Sequence, residues 1–304
     1  MSQISHKPQR TSTMTEQTLK ETFEQFWQSL KEIDDDQKRI DFFMESSTFD
    51  KFRRADRKFF KLNQIERQRI VDSVMVYGYL EVMVQIAQWL EGPDGRACKN
   101  WRHIQCIFYN HLASITDSSQ KAVYVLVAVP DFVELTVRNI TDPETIKEID
   151  QNLVVSIFVS VNLCIIHNMA KFPETQEKFR SCKTVEAVEP LFDVKSEKIQ
   201  ISALSSAACI LDESEVAKMC VDKRNIASKL VNCLGEALKV VDGPHSYMGF
   251  TAEELVESLN FLAVNDCIKK NVLFQLQFKT VLLIFVGLDC QQWSYCFVES
   301  NVDF

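Results

Sequence analysis

Glycine and proline are scarce in this chain, seven of each in 304 residues. Sandwiches and barrels of short strands turn too often to do without them, and a phosphate-cradling loop needs glycine, so these classes are disfavoured. Helices joined by short connections remain. An excess of positive charge is also missing: the formal net charge is −8, which argues against a general nucleic-acid binder, because phosphates are neutralised by clustered Lys and Arg. The first 18 residues are polar and hold no apolar core of a secretory signal. Ten cysteines occur, none in CxxC spacing. Without a secretory leader they are expected to be reduced thiols in the cytoplasm, behaving as small core residues.

What is present is ordinary for a folded protein, 46% hydrophobic and 25% charged, which excludes a disordered chain. Leu153 to Ala170 runs for 18 residues without Asp, Glu, Lys or Arg. Its Ser156, Ser160, Asn162, His167 and Asn168 spread over more than one helical face, so it reads as a helix buried between neighbours and no membrane span is expected. A basic cluster, Lys51, Arg53, Arg54, Arg57, Lys58 and Lys61, is interleaved with Phe49, Phe52, Phe59 and Phe60. It reads either as a patch for an anionic partner or as the solvated face of an amphipathic helix.

Three segments share one pattern: LCIIHNMA at 163–170, LSSAACIL at 204–211 and ESLNFLAV at 257–264. In each, small or apolar residues close a helix and a polar loop follows. With Met169, Ile210 and Leu262 equivalent, the steps are 41 and 52 residues; Phe179, Cys220 and Val272, then Val185, Ile226 and Phe278, keep register downstream. All-helical repeats of roughly 40–47 residues mark armadillo or HEAT solenoids. The expected fold is all-α, an armadillo/HEAT-like right-handed superhelix of stacked α-α units. The longer step contains VDGPHSYMGFT at 241–251, read as a surface loop inserted between units that is either a neutral insertion or a binding loop acting through His245, Tyr247 and Phe250.

Along the chain, 1–15 reads as a flexible leader, 16–100 as an N-terminal helical region of divergent repeats, 101–288 as armadillo-like repeats and 289–304 as an irregular tail. Leu19, Phe23, Phe26, Trp27 and Leu30 have helical spacing, Ile40 to Phe60 gives one or two helices, and Asn63 to Leu90 reads as the most continuous helical segment. Glu91 to Gly95 reads as a turn, and Asp142-Pro143-Glu144 as a helix start. A last helix is expected from Phe278. The tail continues no repeat and no polar capping unit is visible, so either it folds back over the exposed edge or the chain is part of a longer protein.

FYNHLASITD with VPDFVEL, IIHNMAKFPETQEKF with VEAVEPLF, ISALSSAACILDESEVAKMCVDK and GFTAEELVESLNFLAVNDCIKKNV resemble the armadillo-repeat superfamily. The likeness is greatest to the armadillo region of invertebrate multi-armadillo proteins, often linked to a TIR-type domain. It covers about 101–288; no TIR-like alternation of strands and helices is present. The resemblance implies a scaffold that grips a protein partner along a ridge formed by the last helix of each repeat. Transferred residue by residue, that ridge is His111, Cys164, Asn168, Ser205, Cys209, Glu257 and Phe261. Importin-type members carry Trp and Asn there, and only Asn168 matches, so nuclear import is not implied.

Chemistry is otherwise sparse. His103 with Cys106, and Cys290 with Cys296, lack the second pair that a structural zinc needs. No Gly-x-Ser-x-Gly, His-Glu-x-x-His or Walker pattern occurs. Glu253 and Glu257 share a helical face, an exposed acidic or cation-binding ridge. His167 reads as a packed or ridge histidine. The expectation is a cytoplasmic protein-binding scaffold, plausible in intracellular or innate-immune signalling, with no enzymatic activity, cofactor, metal or nucleic-acid partner. The alternative is a GDP-dissociation-stimulator-like regulator of a small GTPase.

Overall fold

The computed structural model describes residues 16–75, 78–216, 226–240 and 245–263. The expected leader, the helix from Phe278 and the tail lie outside these residues, as do Cys220, Val272 and Phe278 of the repeat register. Apart from one minimal hairpin, the regular elements described are helices, and the fold is all-α. Contacts divide the chain into two compact units between Leu135 and Thr136.

The first unit begins with α1 (Glu16–Lys31), whose Leu19, Phe23, Phe26, Trp27 and Leu30 are all buried. Asp35 caps α2 (Asp36–Glu45) by accepting from the Lys38 amide, and Ser46 caps α3 (Ser47–Phe59) by accepting from the Thr48 amide, each satisfying an otherwise orphaned donor. The 40–60 segment is thus two helices. The span from Asn63 to Leu90 is also two, α4 (Gln64–Met75) and α5 (Tyr79–Glu91). Gly78, at φ 74°, stands at the head of α5 in a left-handed conformation that glycine enters at little cost. The 91–95 turn is one helical turn, α6 (Pro93–Arg96). Gly95 there lies against the Trp89 carbonyl and Leu90 Cα, where a Cβ has no room.

Helices α7 (Trp101–Ser118) and α8 (Gln120–Ala128) pack on α4 and α5. By these contacts α7 and α8 fall in the first unit, which extends past residue 100 to Leu135. The reason is physical: Phe108, Tyr109 and Leu112 of α7 are wholly buried, Phe108 among the rings of Phe26, Phe43, Phe49 and Phe52. Rings dominate this core, with Phe26 stacked on Phe52 at 3.9 Å and Phe23 edge-on to Phe59 at 5.6 Å. Each fully buried Phe contributes about 1.5–3 kcal/mol of transfer free energy.

The division falls inside α9 (Phe132–Thr141). In the second unit, Asp142 caps α10 (Pro143–Glu148) with Pro at the first turn, as the sequence indicates. Then come α11 (Leu153–Ala170), α12 (Pro173–Ser181), α13 (Thr184–Val188) with a 3-10 turn at Glu189–Asp193, and α14 (Glu197–Ile210). Helix α15 (Ile226–Ala237) and a hairpin of β1 (Ser246–Tyr247) with β2 (Phe250–Thr251) lead to α16 (Ala252–Leu262). The described part of the 241–251 segment, from His245, contains this hairpin, with Gly249 at φ 93° in its turn. A reciprocal Thr251–Glu254 capping box starts α16.

Helix α14 packs against both α11 and α16. The three end at Ala170, Ile210 and Leu262, within one residue of Met169, Ile210 and Leu262, which the sequence register makes equivalent. By length and composition α11 is apolar enough to cross a bilayer, yet 67% of it is buried within the protein, and it serves as a core helix. Helix α14 is buried at every position from Ile201 to Ile210. Its Ser202, Ala203, Ser205, Ser206, Ala207 and Ala208 keep it thin, so neighbours approach closely. Ser206 Oγ reaches the Leu163 carbonyl of α11 at 3.2 Å.

Candidate functional site

Chemistry-bearing side chains gather at one place in each unit. In the first, Asp56 on α3, Tyr79 at the start of α5 and His111 on α7 form a relay. His111 Nδ1 lies 2.8 Å from Asp56 Oδ1, and Nε2 lies 2.7 Å from the Tyr79 hydroxyl. An ionised carboxylate only accepts, so Nδ1–H donates to Asp56; in the neutral ring Nε2 accepts the Tyr79 proton. Burial first, and the Asp56 charge second, push the Tyr79 hydroxyl well above the ordinary tyrosine range, so it keeps its proton.

Carboxylate, imidazole and hydroxyl in line have the form of an acid–base relay. Here the relay lies within the core. All three residues are buried, and the rings of Phe23, Phe52 and Phe59 stand 4.9–5.9 Å from His111. The Asp56 side chain keeps 8% exposure, and the relay ties three helices together by hydrogen bonds in a largely apolar setting. His111 is therefore not a ridge residue: the same helix that buries Phe108 and Leu112 turns it into the core.

Sequence reasoning missed Asp56 and Tyr79. A signal for Asp56 existed, because it lies four residues after Phe52 and three before Phe59, on the apolar face of α3. A carboxylate on a buried face demands a partner.

In the second unit the ridge expectation meets α11, α14 and α16. Ser205 and Cys209 on α14 and Asn168 on α11 are buried; these three are corrected from partner-facing to packed, since α14 lies between α11 and α16 and α11 packs against α14. Cys164, Glu257 and Phe261 are half-buried and reach the surface. His167 is buried, with Nδ1 3.7 Å from Cys209 Sγ and the Phe250 ring edge-on at 5.7 Å. Burial, then the Lys171 ammonium, lower its pKa to about 4, partly opposed by a hydrogen bond with the Ser205 backbone.

Burial, and next the Glu257 carboxylate, push the Cys209 thiol far up. The thiolate is the nucleophile, so this Cys–His pair is chemically quiet. Among the described residues no group of three or more His, Cys, Asp or Glu is placed to hold a metal.

The loop residues part company. His245 is exposed, and its carbonyl accepts from the Ala252 amide at 2.8 Å. Tyr247 is half-buried and donates to Glu197 Oε1 at 2.6 Å, a bond that raises its pKa to about 12. Phe250 is buried against His167, so it anchors the hairpin and is corrected from binding residue to core residue.

No protein-family model matches the chain, and no curated protein matches it in sequence. Solved structures do match. Two crystal structures, each described as an engineered protein from the Northeast Structural Genomics Consortium, have TM-scores of 0.48. One is 17% identical, covering 84% of this chain and 91% of its own. The other is 16% identical, covering 85% and 89%. A third of the same description has a TM-score of 0.43 at 14% identity, covering 91% of this chain and 70% of its own.

Proposed function

We propose that the chain is an armadillo-type scaffold, of the kind found in invertebrate multi-armadillo proteins, that holds a protein partner in the cytoplasm and performs no catalysis. One observation carries this reading: α11, α14 and α16 pack in sequence order and end within one residue of the register positions Met169, Ile210 and Leu262. Stacked helical units present long surfaces, which suits binding. In the second unit the ridge side chains that reach the surface are Cys164, Glu257 and Phe261, with the exposed Glu253 beside them. An acidic stripe with one aromatic suits a partner segment carrying Lys or Arg and an apolar anchor. A signalling role belongs to the same proposal.

The test compares proteins captured by the full chain and by Glu257→Lys and Phe261→Ser variants, followed by direct titration of each purified candidate. A specific partner should lose about tenfold or more in affinity with either variant and retain it with Leu153→Ser on α11. Clear turnover in a hydrolase or NADase panel would overturn the reading. Accelerated nucleotide release from a small GTPase would replace it with the regulator alternative.

A further inference from the structure

The first unit presents a charged face that the scaffold reading does not use. Helix α3 buries Phe49, Phe52 and Phe59. On its opposite side Lys51, Arg54, Lys58 and Lys61 follow at intervals of three and four residues, with Arg57 beside them, and all five are exposed. The stripe runs about 15 Å at the helical rise. None of the five has an acidic partner among the described residues. The nearby acids are engaged elsewhere: Asp50 with Arg53, Asp56 with His111, and Glu66 with the Asn63 amide. In a chain of net charge −8, this is a local reversal of sign.

The stripe ends beside two exposed apolar side chains. Phe60 is 54% exposed and Ile65 is 64% exposed, although Phe60 directly follows α3, which buries Phe49, Phe52 and Phe59, and Ile65 stands in the first turn of α4, which buries Ile70, Val71 and Val74. The turn between them is held firmly. Lys61 and Leu62 amides close on the Lys58 and Phe59 carbonyls, and Asn63 and Glu66 cap α4 reciprocally. Phe60 and Ile65 are thus displayed on a rigid corner instead of a loose loop.

We infer that this face of α3, with the α3–α4 corner, docks on an anionic phospholipid surface. The five cations meet the headgroups, and Phe60 and Ile65 enter the headgroup–acyl boundary. Cationic side chains near such a surface attract anionic lipid, and apolar side chains add hydrophobic burial. A bilayer is favoured over nucleic acid because Ile65 has no ring to stack on a base, whereas an aliphatic chain gains directly from the acyl boundary. A bilayer also meets only this one face, and leaves the acidic remainder of the protein in water.

The experiment is flotation of the purified full chain with vesicles of phosphatidylcholine alone or of phosphatidylcholine with phosphatidylserine. Binding is expected only with phosphatidylserine, weakening as salt is raised. Each cation contributes roughly fivefold, so Lys51→Gln/Arg54→Gln/Lys58→Gln should weaken binding about a hundredfold. Phe60→Ser/Ile65→Ser should weaken it about tenfold. These side chains are exposed, so circular dichroism and the thermal midpoint should stay near those of the parent and report that the variants fold. Four outcomes would overturn the inference: no binding to anionic vesicles, equal binding to phosphatidylcholine, a triple variant that binds like the parent, or tighter binding to a single-stranded oligonucleotide or a polyglutamate peptide than to the vesicles.

Discussion

Rings fill the first unit, whereas small side chains draw the helices of the second together. Around His111 the first core sets Phe23, Phe52, Phe59 and Tyr79 and threads a hydrogen-bonded relay through them. The second core runs a serine- and alanine-rich helix, α14, against α11, and Ser206 bonds a neighbouring carbonyl directly. Large rings fill space but leave helices apart, so polar groups must bridge between them. Small residues bring backbones close enough for one hydroxyl to do so. The two units should therefore fail in different ways.

The largest effect is expected at the relay. His111→Ala leaves the Asp56 carboxylate buried without its partner, which costs about 3–5 kcal/mol. Urea unfolding followed by tryptophan fluorescence suits this test once Trp293 is replaced by Phe, since the other three tryptophans, Trp27, Trp89 and Trp101, lie in the first unit. A loss below 1 kcal/mol would show that the relay does not hold the ring core.

In the second unit the next largest effect follows pH. The unfolded chain takes up a proton at His167 near the ordinary value of 6.5, whereas the folded chain resists until about 4. Between these values the unfolded state binds more protons, so stability is fullest above about 6.5 and falls as the pH drops toward 4. At 1.36 kcal/mol per pKa unit the loss is up to about 3 kcal/mol. Hydrogen exchange of α14 amides measured across this range should show it, and His167→Gln should flatten the dependence.

Close packing predicts a smaller penalty. Ala207→Leu overfills the neighbourhood of α14 and should cost about 1–3 kcal/mol, read from thermal unfolding. Ser206→Ala removes the hydroxyl bonded to the Leu163 carbonyl and should cost about 1 kcal/mol. In the first unit the matching probe is Tyr79→Phe, which leaves Nε2 of His111 without its hydrogen-bond donor and should cost about 1–3 kcal/mol. If Tyr79→Phe proved cheaper than Ser206→Ala, the contrast between the two cores would collapse.

Much of the fold was legible because the relevant signals are local. The spacing of Leu19, Phe23, Phe26, Trp27 and Leu30 specifies α1 and its buried face. Asp142 and Pro143 mark the start of α10, and the small-residue closures mark the ends of α11, α14 and α16. The break between α4 and α5 was harder to see, because apolar periodicity runs through it and only Gly78 interrupts it. The candidate site was less legible. Register placed Cys164, Glu257 and Phe261 at the surface, but the same register also nominated His111, Asn168, Ser205 and Cys209, which are buried. A repeat pattern identifies equivalent positions and does not say how many neighbours each one acquires.

By itself the sequence determined that the chain is helical, the extent of α1, the start of α10 and that three closures recur in register, because propensity, capping and amphipathic spacing act over a few residues. Only the tertiary structure decided that α7 belongs with the first unit, that Asp56, His111 and Tyr79 meet, that Phe250 turns inward, and that α14 is enclosed. Those outcomes depend on contacts between segments tens of residues apart. Side-chain volume and the need to satisfy buried polar groups select such contacts after the helices exist.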